Sequence, residues 1–140
     1  MKILLDTNVI LDIFLKRLPF YEKSKAALDL ANYEEIDIYV SASTITDIYY
    51  ITNRHLKDHN ATRKHIINLL QTVHISSVTE NEITKALDLL WSDFEDAVQY
   101  SVAFNNKIDI IVTRNPFDYK QSDIPIYTPQ ELMEMIKPYI

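Results

Sequence analysis

The chain predicts a three-layer α/β/α fold with a central, mainly parallel sheet, and three observations carry that expectation. Short apolar runs recur about five times, each followed by a stretch of helical spacing. Such alternation requires crossover connections and lays helices over both faces of a sheet. Runs such as Ile3-Leu4-Leu5 and Ile110-Ile111-Val112 are apolar at consecutive positions, as strands covered on both faces must be. At 140 residues, 47% hydrophobic and 24% charged, the chain suits one core, and residues 1–140 are expected to form a single domain.

The elements follow in order. Lys2 to Leu5 reads as a strand, and Asp6-Thr7-Asn8 as the turn and cap before a helix marked by Val9, Leu11, Ile13 and Phe14. Tyr21 to Asn32 forms a second helix, with Ala26, Ala27, Leu30 and Ala31 inward and Glu22, Lys23, Lys25 and Asp29 in water. Asp37 to Val40 is the next strand. Ser41 or Ser43 caps a helix carrying Ile45, Ile48, Tyr49 and Thr52, with Asp47 in its first turns, ending near Asn53 to His55. Asn60 is the expected cap of a helix from Ala61 to Leu70, and Val73 to Ile75 a short strand. Thr79 with Glu82, and Ser92 with Glu95, spell two capping boxes, opening helices through Leu90 and through Asn105 or Asn106. Asp109 to Val112 is a buried strand, followed by a loop from Thr113 to Ser122 and an extended piece from Ile124 to Tyr127. Thr128 caps the last helix with Pro129 in its first turn.

Composition excludes several chemistries. Without cysteine there is no disulfide, thiolate metal site or cysteine nucleophile, and metal ligands must be oxygen or nitrogen. Without glycine there is no glycine-rich phosphate loop of the dinucleotide or P-loop kind. No run of about 18 apolar residues occurs and Asp6, Asn8 and Asp12 interrupt the amino terminus, so neither a membrane span nor a signal peptide is expected and the reading is cytoplasmic. A net charge of −6 argues against a broad cationic nucleic-acid surface. It does not argue against a nucleic-acid enzyme, because acids gathered around a divalent cation reverse the local electrostatics.

In parallel sheets of this kind, sites form beyond the carboxyl ends of the strands, which points to Asp6 and to the loop from Thr113 to Asp118. Alone, Asp6 is equally well a turn carboxylate. Asp93 and Asp96 lie three apart on one helical face, where two carboxylates repel unless a cation stands between them. Glu95 is accounted for by the capping box. Asp47 sits among apolar residues and, where poorly solvated, needs a partner.

The opening Ile3-to-Asn8 segment, Thr46-Asp47-Ile48-Tyr49-Tyr50, Asp93-Phe94-Glu95-Asp96-Ala97, and Ile111-Val112-Thr113-Arg114-Asn115 through Asp118 together resemble PIN domains, above all VapC-like toxins. The resemblance runs across essentially the whole chain. It implies that Asp6, Asp47, Asp96 and an acid of the last loop gather around Mg²⁺ or Mn²⁺, with Asp6, Asp47 and Asp96 catalytic. Two positions depart from the pattern. Asp47 stands where Glu is usual, and Asn115 where many relatives carry an acid, which leaves Asp118 or Asp93 as the remaining ligand. The expected chemistry is in-line attack of a metal-activated water on an RNA phosphodiester. Asn8 and Thr113 would orient the acids, Asn115 would support them, and Arg114 would touch a phosphate or pair with the acidic cluster. The resemblance further implies a toxin–antitoxin role, a protein antitoxin partner and a homodimer.

Three rival readings are weighed. Haloacid-dehalogenase-like enzymes resemble Asp-x-Asp after the first strand, and Asn8 breaks that pattern. A degenerate PIN-like scaffold that binds RNA or a protein without cutting is kept open by Asp47 and Asn115. His55 and His59, four apart, read as a solvated loop pair rather than a zinc site. Tyr49 and Tyr50 read as core or dimer contacts rather than base-stacking platforms, and Lys16, Arg17, Arg54, Lys57, Arg63 and Lys64 as solvated helix surface by default, with a substrate path as the alternative.

Overall fold

The computed structural model describes residues 1–140 and contains five strands, all parallel, in the order β3-β2-β1-β4-β5. The strands are β1 (Lys2–Leu5), β2 (Asp37–Ser41), β3 (His74–Ser76), β4 (Ile110–Val112) and β5 (Ile126–Tyr127). The helices are α1 (Thr7–Phe14), α2 (Tyr21–Asp29), α3 (Ala42–Leu56), α4 (His59–Leu70), α5 (Glu80–Leu89), α6 (Phe94–Asn105) and α7 (Pro129–Ile136). This is the three-layer architecture expected from the alternation. No helix is long and apolar enough to cross a membrane.

Residue alternation along the strands assigns the layers. Ile3, Leu5, Ile38, Val40, Ile110 and Val112 join the larger core with residues of α1, α2, α3, α4 and α7. Leu4 and Ile111 point the other way, onto Tyr100 and Ala103 of α6 and onto Tyr119. A smaller cluster, Ala86, Ala97, Val98 and Val102, locks α5 to α6. Every β1 residue from Ile3 to Leu5 is fully buried, at about 1.5–3 kcal/mol for each large side chain removed from water.

Helix starts departed from expectation in two places. Asp58, not Asn60, caps α4: its Oδ1 accepts the Ala61 N–H at 3.1 Å, so the helix begins at His59. Asp93, not Ser92, caps α6 by accepting the Asp96 N–H at 3.1 Å, so the Ser92–Glu95 box does not form. In both an aspartate carboxylate reaches the third residue onward and outcompetes a nearby Asn or Ser. The box at Thr79–Glu82 forms as read, Ser41 caps α3, and Thr128, read as the cap of α7, also forms a capping box with Glu131. With no glycine in the chain, Lys16, Lys57, Leu90 and Lys107 adopt left-handed backbone with φ of 48–56°.

The strand order places the topological switch between β1 and β4. The chain runs outward through β2 and β3 on one side, then returns to build β4 and β5 on the other. Asp6 leaves β1 and Thr113 leaves β4 on either side of that crevice, where open α/β sheets place their ligands.

Candidate active site

Asp6 is the anchor of the crevice. It caps α1 in extended conformation and its carboxylate is 8% exposed. Oδ1 accepts the Thr7 N–H at 2.7 Å and Gln99 Nε2 at 3.1 Å. Oδ2 accepts Thr113 Oγ1 at 2.9 Å and the Tyr119 hydroxyl at 3.2 Å. An ionised carboxylate offers about four lone-pair sites, so four donors use its full capacity and fix its orientation.

The donors are themselves held. Thr113 Oγ1 accepts Asn8 Nδ2 at 3.4 Å and the Asn115 N–H at 3.2 Å, while Asn8 Oδ1 accepts the Arg114 N–H at 3.3 Å. The loop after β4 is thereby tied to the first turn of α1. Gln99 Nε2 also donates to Thr44 Oγ1 at 2.9 Å. Thr44 accepts Ser41 Oγ at 3.1 Å as well, which leaves its own proton for Thr7 Oγ1 at 2.9 Å. One buried polar chain therefore connects α1, α3 and α6 through Asp6.

Around Asp6 lies a cleft of about 460 Å³ whose walls include Asp47, Asp93, Glu95, Asp96, Asn115 and Asp118. None of these acids pairs with a basic side chain, since the ion pairs lie elsewhere. The consequence is electrostatic. Asp96 is pushed up from 3.8 to about 7, first by burial and then by the charges of Asp6, Asp93 and Asp118. Glu95 is raised chiefly by Asp47, and Asp47 by burial. Tyr119 is raised well above the phenol range by burial and by Asp6 and Asp96, so it stays a proton donor to both.

This donor set is all oxygen and strongly negative, and a hard divalent cation fits it in chemistry. In position the acids stand apart, with no three of them close enough to hold an ion together.

The predicted residues sort as follows. Asp6, Asn8, Asp47, Asp93, Asp96, Asn115 and Asp118 line the cleft, and Thr113 lies beneath it against Asp6. Arg114 does not pair with the acidic cluster of the cleft. Its Nε lies 2.8 Å from Oδ2 of fully buried Asp12, and its guanidinium covers Phe20 with 4.2 Å to the ring centre. Asp12 needed a cation there, which sequence spacing alone does not reveal. Asp93 spends one oxygen on the α6 cap, and Glu95, freed from the predicted box, joins the cleft. Gln99, Tyr119 and Thr44 were not foreseen. The one signal for Gln99 was its place three residues beyond Asp96, on the same face of α6.

The PIN-domain family profile matches residues 2–116. Ribonuclease VapC1 of Aquifex aeolicus (strain VF5) is 27% identical over 139 residues, spanning 95% of this chain and 94% of that protein. VapBC-1 from nontypeable Haemophilus influenzae superimposes with a TM-score of 0.72 at 14% identity, covering 93% of this chain and 99% of that chain. A toxin–antitoxin complex from Klebsiella pneumoniae gives 0.67 at 22% identity, covering 90% and 96%. These two superpositions bear on the fold.

Proposed function

The chain belongs to the PIN-domain family, and from that premise we propose that residues 1–140 form one endoribonuclease domain, the toxin of a toxin–antitoxin pair, using Mg²⁺ or Mn²⁺ in the acidic cleft. The observation that carries the reading is that six acids from four segments of the chain line one crevice with no basic partner among them. The likeness to ribonuclease VapC1 supports RNA as the substrate, and the likeness to a toxin–antitoxin complex supports an antitoxin partner. A homodimer completes the proposal.

Asp6, Asp96 and Asp47 are the residues that would hold the cation, with Asp118, Asp93 and Glu95 on the rim. When bound, the cation supplies a nucleophilic water at neutral pH and offsets charge developing on the phosphate. The protein's own part is orientation. Thr113, Tyr119, Gln99 and Thr7 aim the Asp6 carboxylate, and Asn8 holds Thr113 in place. Asp96, raised to about 7 by burial and by Asp6, Asp93 and Asp118, is only partly ionised near neutral pH, and a cation in the cleft would favour its charged form.

A second reading has a specific observation behind it. Asp6 is saturated by four internal donors and no three acids converge, as a scaffold that binds RNA or protein without cutting would also allow. Purified protein incubated with mixed single-stranded RNAs separates the two. The nuclease reading expects cleavage with Mn²⁺, none with chelator, and none from Asp6→Asn. Equal cutting by wild type and variant, or none by either, sinks it. Co-expression with the neighbouring reading frame tests the antitoxin, whose signature is a stable complex that suppresses cleavage.

A further inference from the structure

The α3 helix begins in the cleft and ends in a basic, solvent-facing tip. Ser43 and Asp47 line the cleft from its first turns. Tyr50, three residues on, is 65% exposed, and Arg54, seven residues on, lies over it with the guanidinium carbon 5.4 Å from the ring centre. Offsets of three and seven share one helical face, so Asp47, Tyr50 and Arg54 form a single stripe about 10 Å long. Lys57 continues it at the left-handed turn that ends the helix.

The charge of this tip is opposite to that of the molecule. Residues 54–64 hold four of the 14 lysines and arginines and one of the 20 acids, and Arg54, Lys57, Arg63 and Lys64 are all exposed. A protein of net charge −6 thus concentrates positive charge beside an exposed aromatic ring, at the far end of the helix that delivers Asp47. Buried core and ion pairing use none of it: Tyr50 lies outside the hydrophobic clusters, and no acid pairs with Arg54, Lys57, Arg63 or Lys64. Of the two sequence readings of Tyr50, core or dimer contact, its 65% exposure rules out the first.

We propose that this stripe of α3 is the track for single-stranded RNA leaving the cleft, with one base stacked at Tyr50 and the following phosphates met by Arg54 and Lys57. The inference rests on the nuclease reading and extends it to a named surface. An aromatic ring accepts any base through its π face, and flanking cations follow the backbone without reading sequence. The length fits: about 10 Å of helix spans one to two nucleotides beyond the scissile position. Arg54 already lies over the ring, so a base joins an arrangement that is partly ordered beforehand.

The test is fluorescence anisotropy of the full chain with a labelled single-stranded 12-nucleotide RNA in chelator, where cleavage is off, across a salt series. Tyr50→Ala is expected to weaken binding about tenfold or more, with Tyr50→Phe restoring most of it. Arg54→Gln is expected to flatten the salt dependence by about 0.7 in the log–log slope. In Mn²⁺, both variants should cut the 12-mer with a lower kcat/KM, in proportion to the binding lost in chelator. Unchanged affinity and slope in both variants, while wild type binds and cuts, overturns the track and leaves the nuclease reading standing. A fall in mass of the free protein by light scattering in Tyr50→Ala, with RNA binding unchanged, overturns it in favour of a protein contact. Absence of RNA binding or cleavage by wild type overturns the nuclease reading and the track with it.

Discussion

Replacing Asp96 by Asn should stabilise the metal-free protein, by an amount that grows with pH. Asp96 has its folded-state pKa raised from 3.8 to about 7 by burial and by Asp6, Asp93 and Asp118. The folded chain then binds this proton more tightly than the unfolded chain does, so ionising Asp96 costs folded stability. The cost is absent below the unfolded pKa, accrues from 3.8 to about 7, and is complete above that. A rise of that size corresponds to about 4 kcal/mol at full strength. Because Asp96 is only half-buried, solvent screening reduces this to about 1–2 kcal/mol. For a domain of this size the melting temperature of Asp96→Asn should exceed that of wild type by roughly 3–8 °C at pH 8.5 in chelator, and match it at pH 4. Adding Mn²⁺ should reverse the order, since only wild type gains stability from the ligand. Thermal unfolding followed by circular dichroism at the two pH values decides the matter. A variant no more stable than wild type at pH 8.5, or equally shifted at both, refutes the electrostatic reading of the cleft.

Other consequences are as direct. Glu82 is held below its ordinary value, chiefly by the Thr79 backbone N–H, so its stabilisation is present above 4.5 and lost as pH falls through its lower folded value. Glu82→Ala should cost about 1–2 kcal/mol at pH 7, and the difference from wild type in urea unfolding should shrink below pH 4. Leu90→Gly should stabilise by about 0.5–1 kcal/mol, because Leu90 is 87% exposed in a left-handed helix end where a β-carbon is strained. A lower melting temperature would contradict that. Gln99→Met removes one Asp6 donor and leaves Thr44 without its amide partner. RNA cleavage at saturating Mn²⁺ should fall about tenfold or more, and an unchanged rate would show that Asp6 needs no such support.

Most of the architecture was legible because its signals are local. The apolar runs at Ile3 to Leu5 and Ile110 to Val112 became the central strands, and the capping box at Thr79 and the cap at Thr128 started helices where expected. Where neighbouring capping residues compete, as at Asp58 against Asn60 and Ser92 against Asp93, reach decides, and reach belongs to the folded backbone. The same error hid Glu95, which looked committed to a cap. Around Asp6, strand ends and helix starts marked the acids. Gln99 and Tyr119 reach Asp6 across 93 and 113 residues of chain, and Arg114 finds Asp12 by tertiary packing alone. No spacing rule carries such contacts. The net charge of −6 was likewise silent about the segregation of Arg54 to Lys64 from the acidic cleft.

The central claim is that the unpaired acids of the cleft bind a divalent cation. Isothermal titration of Mn²⁺ into the wild-type chain at pH 7, beside Asp6→Asn and Asp96→Asn, measures this directly. A saturable site in wild type, with proton release at pH 7 and its loss in both variants, is the predicted result. No binding heat from wild type, or equal binding by all three proteins, would contradict it.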